Sequence, residues 1–296
     1  MASFDWILFA LMAAFLWGSS NIVDKQVMVK YVRNPIVGLF VHGAVGLLSA
    51  FVVMMFFPLQ INSWFSVAGF MAGVIYPFGV LIYFKVIKKE SVASFNAMTQ
   101  TVPIFVLLLS IVFLKDSISL FQFIGIILLI AGAMIVSLKK EKNKKLFLST
   151  LIVFALITSV LYSASQILDK VSVTGINFWS AFVFARLGAF AVIMPVSFLA
   201  GKDIVKIIRR TRRFSVMIFS EVLAMIASVF FFAAVSLGKI SLVSALTVTQ
   251  PFFAILLSFL FVRYTEALRV EVEKQNLVKL LLAAPLLIAG VYLISG

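Results

Sequence analysis

Apolar stretches of roughly 18 to 24 residues recur along the whole chain, each long enough to cross about 30 Å of hydrocarbon at 1.5 Å per residue. They predict ten membrane spans, near residues 5–25, 35–57, 64–86, 92–114, 119–138, 147–169, 177–199, 214–237, 242–262 and 277–295. Breaks between them fall at Asn34-Pro35, at Pro58, in the run Lys139 to Lys145 and at Gly201-Lys202-Asp203. No stretch shows the ten-residue alternation of a barrel strand, and only helices or closed barrels satisfy their backbone groups in lipid. The expected fold is an all-α membrane protein.

The polar positions inside this pattern repeat. Ser20-Asn21-Ile22-Val23-Asp24-Lys25 at the end of span one lines up with Ser165-Gln166-Ile167-Leu168-Asp169-Lys170 at the end of span six. Ser91, Ser94, Thr99 and Gln100 match Ser241, Ser244, Thr249 and Gln250, and after a slip of two residues Pro103, Phe105 and Ser110 match Pro251, Phe253 and Ser258. Ile130-Ala131-Gly132 returns as Ile288-Ala289-Gly290. The chain therefore divides into a five-helix unit at residues 1–138, a basic linker at 139–146 and a second unit at 147–296. An odd number of spans per unit puts the second copy into the membrane from the opposite side, so the ten helices form two inverted repeats. Such repeats suit alternating access, in which symmetry-related contacts close first one side and then the other of a midplane site.

Composition excludes the soluble alternatives. The chain is 63% hydrophobic and 12% charged, with a mean hydropathy of +1.17. Its formal net charge of +14 would suggest nucleic acid in a soluble protein, but the basic residues lie in short loops, where they report topology. Of the 25 Lys and Arg, 21 follow odd-numbered spans. The opposite side holds Lys115, Lys170 and Lys239, while Arg186 lies within a span. The positive-inside rule then puts the basic loops in the cytoplasm of a cell-membrane protein and both termini outside. No Lys or Arg precedes the first apolar stretch, so it reads as a retained span rather than a signal peptide. Cysteine is absent, which removes disulfides, thiolate metal sites and cysteine nucleophiles. The segment Gly201 to Phe214 mixes Ile204, Val205, Ile207 and Ile208 with Lys206, Arg209, Arg210, Arg212 and Arg213, the composition of a basic amphipathic segment lying on the anionic leaflet.

Taken in order, Trp17-Gly18-Ser19-Ser20, the segments Gln100 to Pro103 and Gln250-Pro251, the acids Asp116 and Glu266 after them, and the Ala-Gly endings of spans five and ten resemble the drug/metabolite transporter superfamily, in particular its ten-helix EamA-type members. The resemblance covers essentially the whole chain. It implies an exporter or exchanger of a small metabolite, with a central cavity formed by spans one to four and six to nine. No cofactor and no nucleic-acid partner are expected; the expected partners are a small-molecule solute and membrane lipids, with the oligomeric state left open.

Three ionisable residues stand well inside spans, where charge is costly unless it faces a bundle interior or wet cavity. His42 and Arg186 occupy similar depths in spans two and seven. A lone imidazole finds a hydroxyl or carbonyl, whereas a guanidinium keeps its charge and needs a carboxylate, carbonyls or an anionic ligand. Glu221 is the only acid well inside a span; a proton or cation must neutralise it there, through a salt bridge to Arg186, the basic loop before span eight, or a coupling proton. The cavity candidates are Trp17, Ser20, Asn21, Asn96, Gln100, Tyr162, Gln166, Arg186, Thr249 and Gln250, with interhelical hydrogen bonding as the plainer role of the hydroxyls and amides. Glu221 and His42 are candidates for coupling or gating, as are Asp24 and Asp169, which with Lys25 and Lys170 mark span ends as anchors or gate pairs. Pro103 and Pro251 are expected to kink spans four and nine. A passive channel or scramblase fits the same pattern, and an intramembrane enzyme fits less well, because no zinc-protease, nucleotide-loop or Gly-flanked Ser motif is present.

Overall fold

The computed structural model describes residues 2–30, 34–87, 99–137, 145–261 and 274–295. All regular elements among them are helical. In chain order they are α1 (Ala2–Lys30), α2 (Pro35–Phe56), α3 (Ser63–Ile87), α4 (Val102–Leu109, running on as a wider turn over Ser110–Leu114), α5 (Leu120–Ser137), α6 (Lys145–Gly175), α7 (Phe178–Ser197), α8 (Gly201–Ile208), α9 (Thr211–Leu237), α10 (Ile240–Thr247), α11 (Gln250–Phe261) and α12 (Lys274–Ser295). Among the described residues nine stretches are long and apolar enough to cross a membrane, and Val102–Leu114 is a shorter apolar helix. The expected start of span four, with Asn96, lies outside the described residues, as do the linker at 139–144 and Glu266.

Local chemistry sets the ends. The Asn34 side chain accepts the amide of Ile36, with Pro35 opening α2, and the Asn177 side chain accepts the amide of Ser180 at the start of α7. α1 runs past its expected end to Lys30, through Gln26-Val27-Met28-Val29, which contains no breaker. The expected proline kinks are full interruptions. Thr101 precedes α4 with Pro103 in its first turn, and Val248-Thr249 separates α10 from α11. The carbonyls freed there are taken again, Leu246 by the amide and hydroxyl of Thr249 and Thr101 by the amides of Ile104 and Phe105. The basic segment after span seven forms α8, which buries Ile204 and Ile207 and exposes Lys202, Asp203 and Lys206.

Packing between the halves comes in matched pairs. α1 lies against α9 as α6 lies against α3, and α1 meets α11 as α6 meets α4. α2 crosses α7, and α5 pairs with α12 at the edge of the bundle. At that edge a β-carbon on Gly132 would meet the Leu287 side chain, and one on Gly290 would meet Leu129. α3 and α7 cross closest of all: a β-carbon on Gly73 would overlap the Ala185 carbonyl, and one on Gly188 the Phe70 carbonyl.

Candidate functional site

A cavity of about 200 Å³ opens inside the bundle. Its walls follow the repeat. α1 contributes Trp17, Ser20, Asn21 and Asp24, one helical face at spacings of three, one and three residues. α6 contributes Tyr162, Ser165, Gln166 and Asp169, the same face exactly 145 positions later. α2 and α7 add His42 and Arg186 at the level where the two helices cross. Gln100 closes one side just before α4, and Gln250 the other as the first residue of α11. α3 and α9 supply Tyr76 and Tyr83 on one hand, and Glu221, Ala224, Ser228 and Phe231 on the other. α5 and α12 contribute nothing to the lining.

Most of the sequence candidates thus come together. Thr249 does not line this cavity: it is buried, its hydroxyl donates to the Leu246 carbonyl at 2.7 Å, and it borders a separate apolar groove between α1, α11 and α12. Asn96 lies outside the described residues. Asp24 and Asp169 mark span ends in the sequence, yet both stand on the cavity wall. Sequence reasoning missed Ser220. Its hydroxyl donates to Asp24 Oδ1 at 2.5 Å and lies 3.1 Å from the Ser20 hydroxyl, tying α9 to α1. The stripe Glu221, Ala224, Ser228 and Phe231, spaced as one helix face, was the available signal.

The charged groups are arranged unevenly. Glu221 Oε2 sits 2.8 Å from His42 Nδ1, and both residues are buried. The partner of Glu221 is therefore an imidazole, and no ion pair with Arg186 occurs among the described residues. Arg186 is 6% exposed. Its guanidinium stacks over the rings of Tyr76, at 5.7 Å, and Phe182, at 5.4 Å, and reaches the Met225 sulfur at 3.7 Å. His42, Tyr76 and Tyr162 form a stacked row, with ring centroids 5.8 and 5.2 Å apart. Five lining side chains keep a buried polar atom without a partner: His42 Nε2, Gln166 Oε1, Asp169 Oδ1, Arg186 Nε and the Ser244 hydroxyl. Buried polar groups in folded proteins are nearly always satisfied, so five in one cavity call for a ligand or ordered water.

One end of the bundle is tied together by hydrogen bonds and a ring stack. Lys170 Nζ donates to the carbonyls of Val235 and Gly238, at 2.8 and 2.9 Å, capping α9. Lys239 Nζ donates to the Ser117 carbonyl. The Asn177 amide donates to Gln60 Oε1, the Gln60 amide donates to the Ser180 hydroxyl, and Phe57 stacks on Trp179 at 4.0 Å. Asp116, beyond the spans on this end, has its carboxyl raised above the usual range by burial, against the opposing pull of Lys170 and Lys239.

Residues 5–138 match the family of EamA-like transporters. A solved crystal structure superposes with a TM-score of 0.70 at 14% sequence identity, over 97% of this chain and 95% of the other, a likeness of fold alone. No curated protein matches.

Proposed function

We propose, from the EamA-like character of residues 5–138, that this membrane protein is a secondary transporter carrying a small polar or charged solute through the central cavity by alternating access. The observation that carries the reading is the pair of repeat-matched faces on α1 and α6, whose polar residues border one cavity with unsatisfied atoms. A structural core has no use for Asp24 and Asp169 placed symmetrically across a void. The exchange-related contacts, α1 with α9 against α6 with α3 and Gly132–Leu287 against Gly290–Leu129, support two inverted units. The matched faces then serve in turn as walls of the open and closed sides. The tied end of the bundle is the outer gate in the orientation set by the basic loops, so this conformation is closed toward the outside.

Two measurements test the reading. Thermal unfolding of the purified protein against amino acids, nucleotide sugars and cationic drugs should reveal a class that raises the midpoint, since a ligand bound only by the folded state stabilises it. Cysteine placed at Gln100 or Gln250, in a chain with none of its own, should react with a small water-soluble thiol reagent and be protected by that class. Two engineered cysteines that never react while loop controls do would remove the cavity from the pathway. Flux that never accumulates the solute against a gradient would replace the transporter with a passive channel.

A further inference from the structure

We infer that the cavity carries a proton-binding site at Nε2 of His42, with Glu221 as the residue that positions the ring, so that a proton is the coupling ion. The inference rests on the transport reading for its purpose, but the site itself does not.

The geometry begins with which nitrogen is used. His42 Nδ1 faces Glu221 Oε2 at 2.8 Å. A carboxylate only accepts, so Nδ1 carries the hydrogen and a neutral ring leaves Nε2 as a bare acceptor. That nitrogen is buried and has no partner. The ring plane is held from one side by Tyr76, stacked at 5.8 Å and 29°. It cannot turn over without breaking the Glu221 contact. The arrangement is that of a carboxylate-oriented imidazole, whose free nitrogen takes and returns a proton.

The charged and polar groups around the pair come from four other helices. Arg186, from α7, stacks on the far ring Tyr76 and cannot lose its proton. Asp24, from α1, is bonded to Ser220, the residue next to Glu221, so a second carboxyl stands beside the pair. Asp169, from α6, leaves one oxygen unpartnered across the cavity. Tyr83, from α3, lies within 3.4 Å of Asn21 and completes the polar wall. Among the described residues three acids border the cavity against one permanent cation, Arg186. When a proton binds Nε2, the imidazolium keeps its Nδ1–H on Glu221, and the pair goes from one negative charge to none. Release reverses the change with no other bond made or broken. Exchange of that proton with one side of the membrane and then the other, as the cavity changes access, is the property that couples a proton to a transport cycle.

His42 is the only histidine in the chain, so a single set of imidazole resonances reports on it. Protein labelled with nitrogen-15 histidine and held in lipid nanodiscs is titrated between about pH 8 and pH 5, the range in which imidazole changes charge. The expected neutral form has Nδ1 protonated and Nε2 bare, and it converts reversibly to the doubly protonated ring. In Glu221→Leu, which removes every acceptor oxygen at that position, the preference for the Nδ1–H tautomer should disappear. A neutral ring protonated on Nε2, or a ring unchanged across the whole range, would overturn the site. An unaltered tautomer in Glu221→Leu would overturn the positioning role, and wild-type spectra alone decide the site if that variant does not fold. A titrating ring in a protein whose cavity cysteines stay unlabelled would keep the proton site and remove the transport reading, so the two fail separately.

Discussion

Arg186 shows what a charge does when hydrocarbon surrounds it and no acid touches it. Its guanidinium spreads over two ring faces and a sulfur, a desolvated arrangement that a planar cation can make and a compact ammonium cannot. Arg186→Lys keeps the charge and should still lower the stability of the folded protein by about 0.5–2 kcal/mol, the size of a desolvated cation–π contact, read as a fall in thermal midpoint in detergent. Asp116 offers a test in pH. Burial raises its carboxyl above the usual carboxylate range, so the fold prefers the neutral acid; the group's contribution is complete below about pH 4 and is lost as pH rises through the raised value. Asp116→Asn mimics the neutral acid. Its midpoint should exceed that of wild type near pH 7, with the gain vanishing toward pH 4. Single residues were legible in the sequence where the repeat named them, as with Gln100 and Gln250. The His42–Glu221 contact was not, since it joins positions 179 apart that are not repeat partners, and only the packing of α2 against α9 creates it.

Between elements, the closest approach is the crossing of α3 and α7, where glycine is needed for the absence of a side chain rather than for any special dihedral. Gly188→Ala or Gly73→Ala pushes a methyl into a backbone carbonyl that cannot swing aside. Overpacking of this kind costs about 1–3 kcal/mol, and the unfolding midpoint should drop accordingly. Gly201→Ala, with nothing within 4 Å of its β-carbon, should leave it unchanged. Hydropathy sufficed to find the spans because each must cover the same thickness of hydrocarbon. The amphipathic α8 was legible for a related reason, Ile204 and Ile207 falling on the buried side at helical spacing while the charged residues face away. The depth of the interruptions in spans four and nine was not. Proline announces a bend, but whether the freed carbonyls find hydroxyls and amides close by, as Leu246 does with Thr249, depends on local geometry.

At the scale of the whole molecule, the arrangement predicted from an odd number of helices per unit makes one more demand. Reporter fusions at Lys142 and Arg210 should face the cytoplasm and a fusion at Gly296 the outside; a cytoplasmic C-terminus would invert the proposed orientation and leave the packing pairs intact. The ionisable groups of the cavity carry a separate consequence. Asp24, Asp169, Glu221 and Arg186 stand within the apolar thickness, where the voltage across a living membrane falls. A charge that moves through that whole drop exchanges about 2.3 kcal/mol with each 100 mV. In the proposed cycle a proton reaching His42 from either side crosses part of this field, so that step does electrical work. Proteoliposomes clamped at different potentials with potassium and valinomycin should show rates that differ with voltage at equal pH on both sides, making the resting potential of the cell a second energy source beside any chemical gradient.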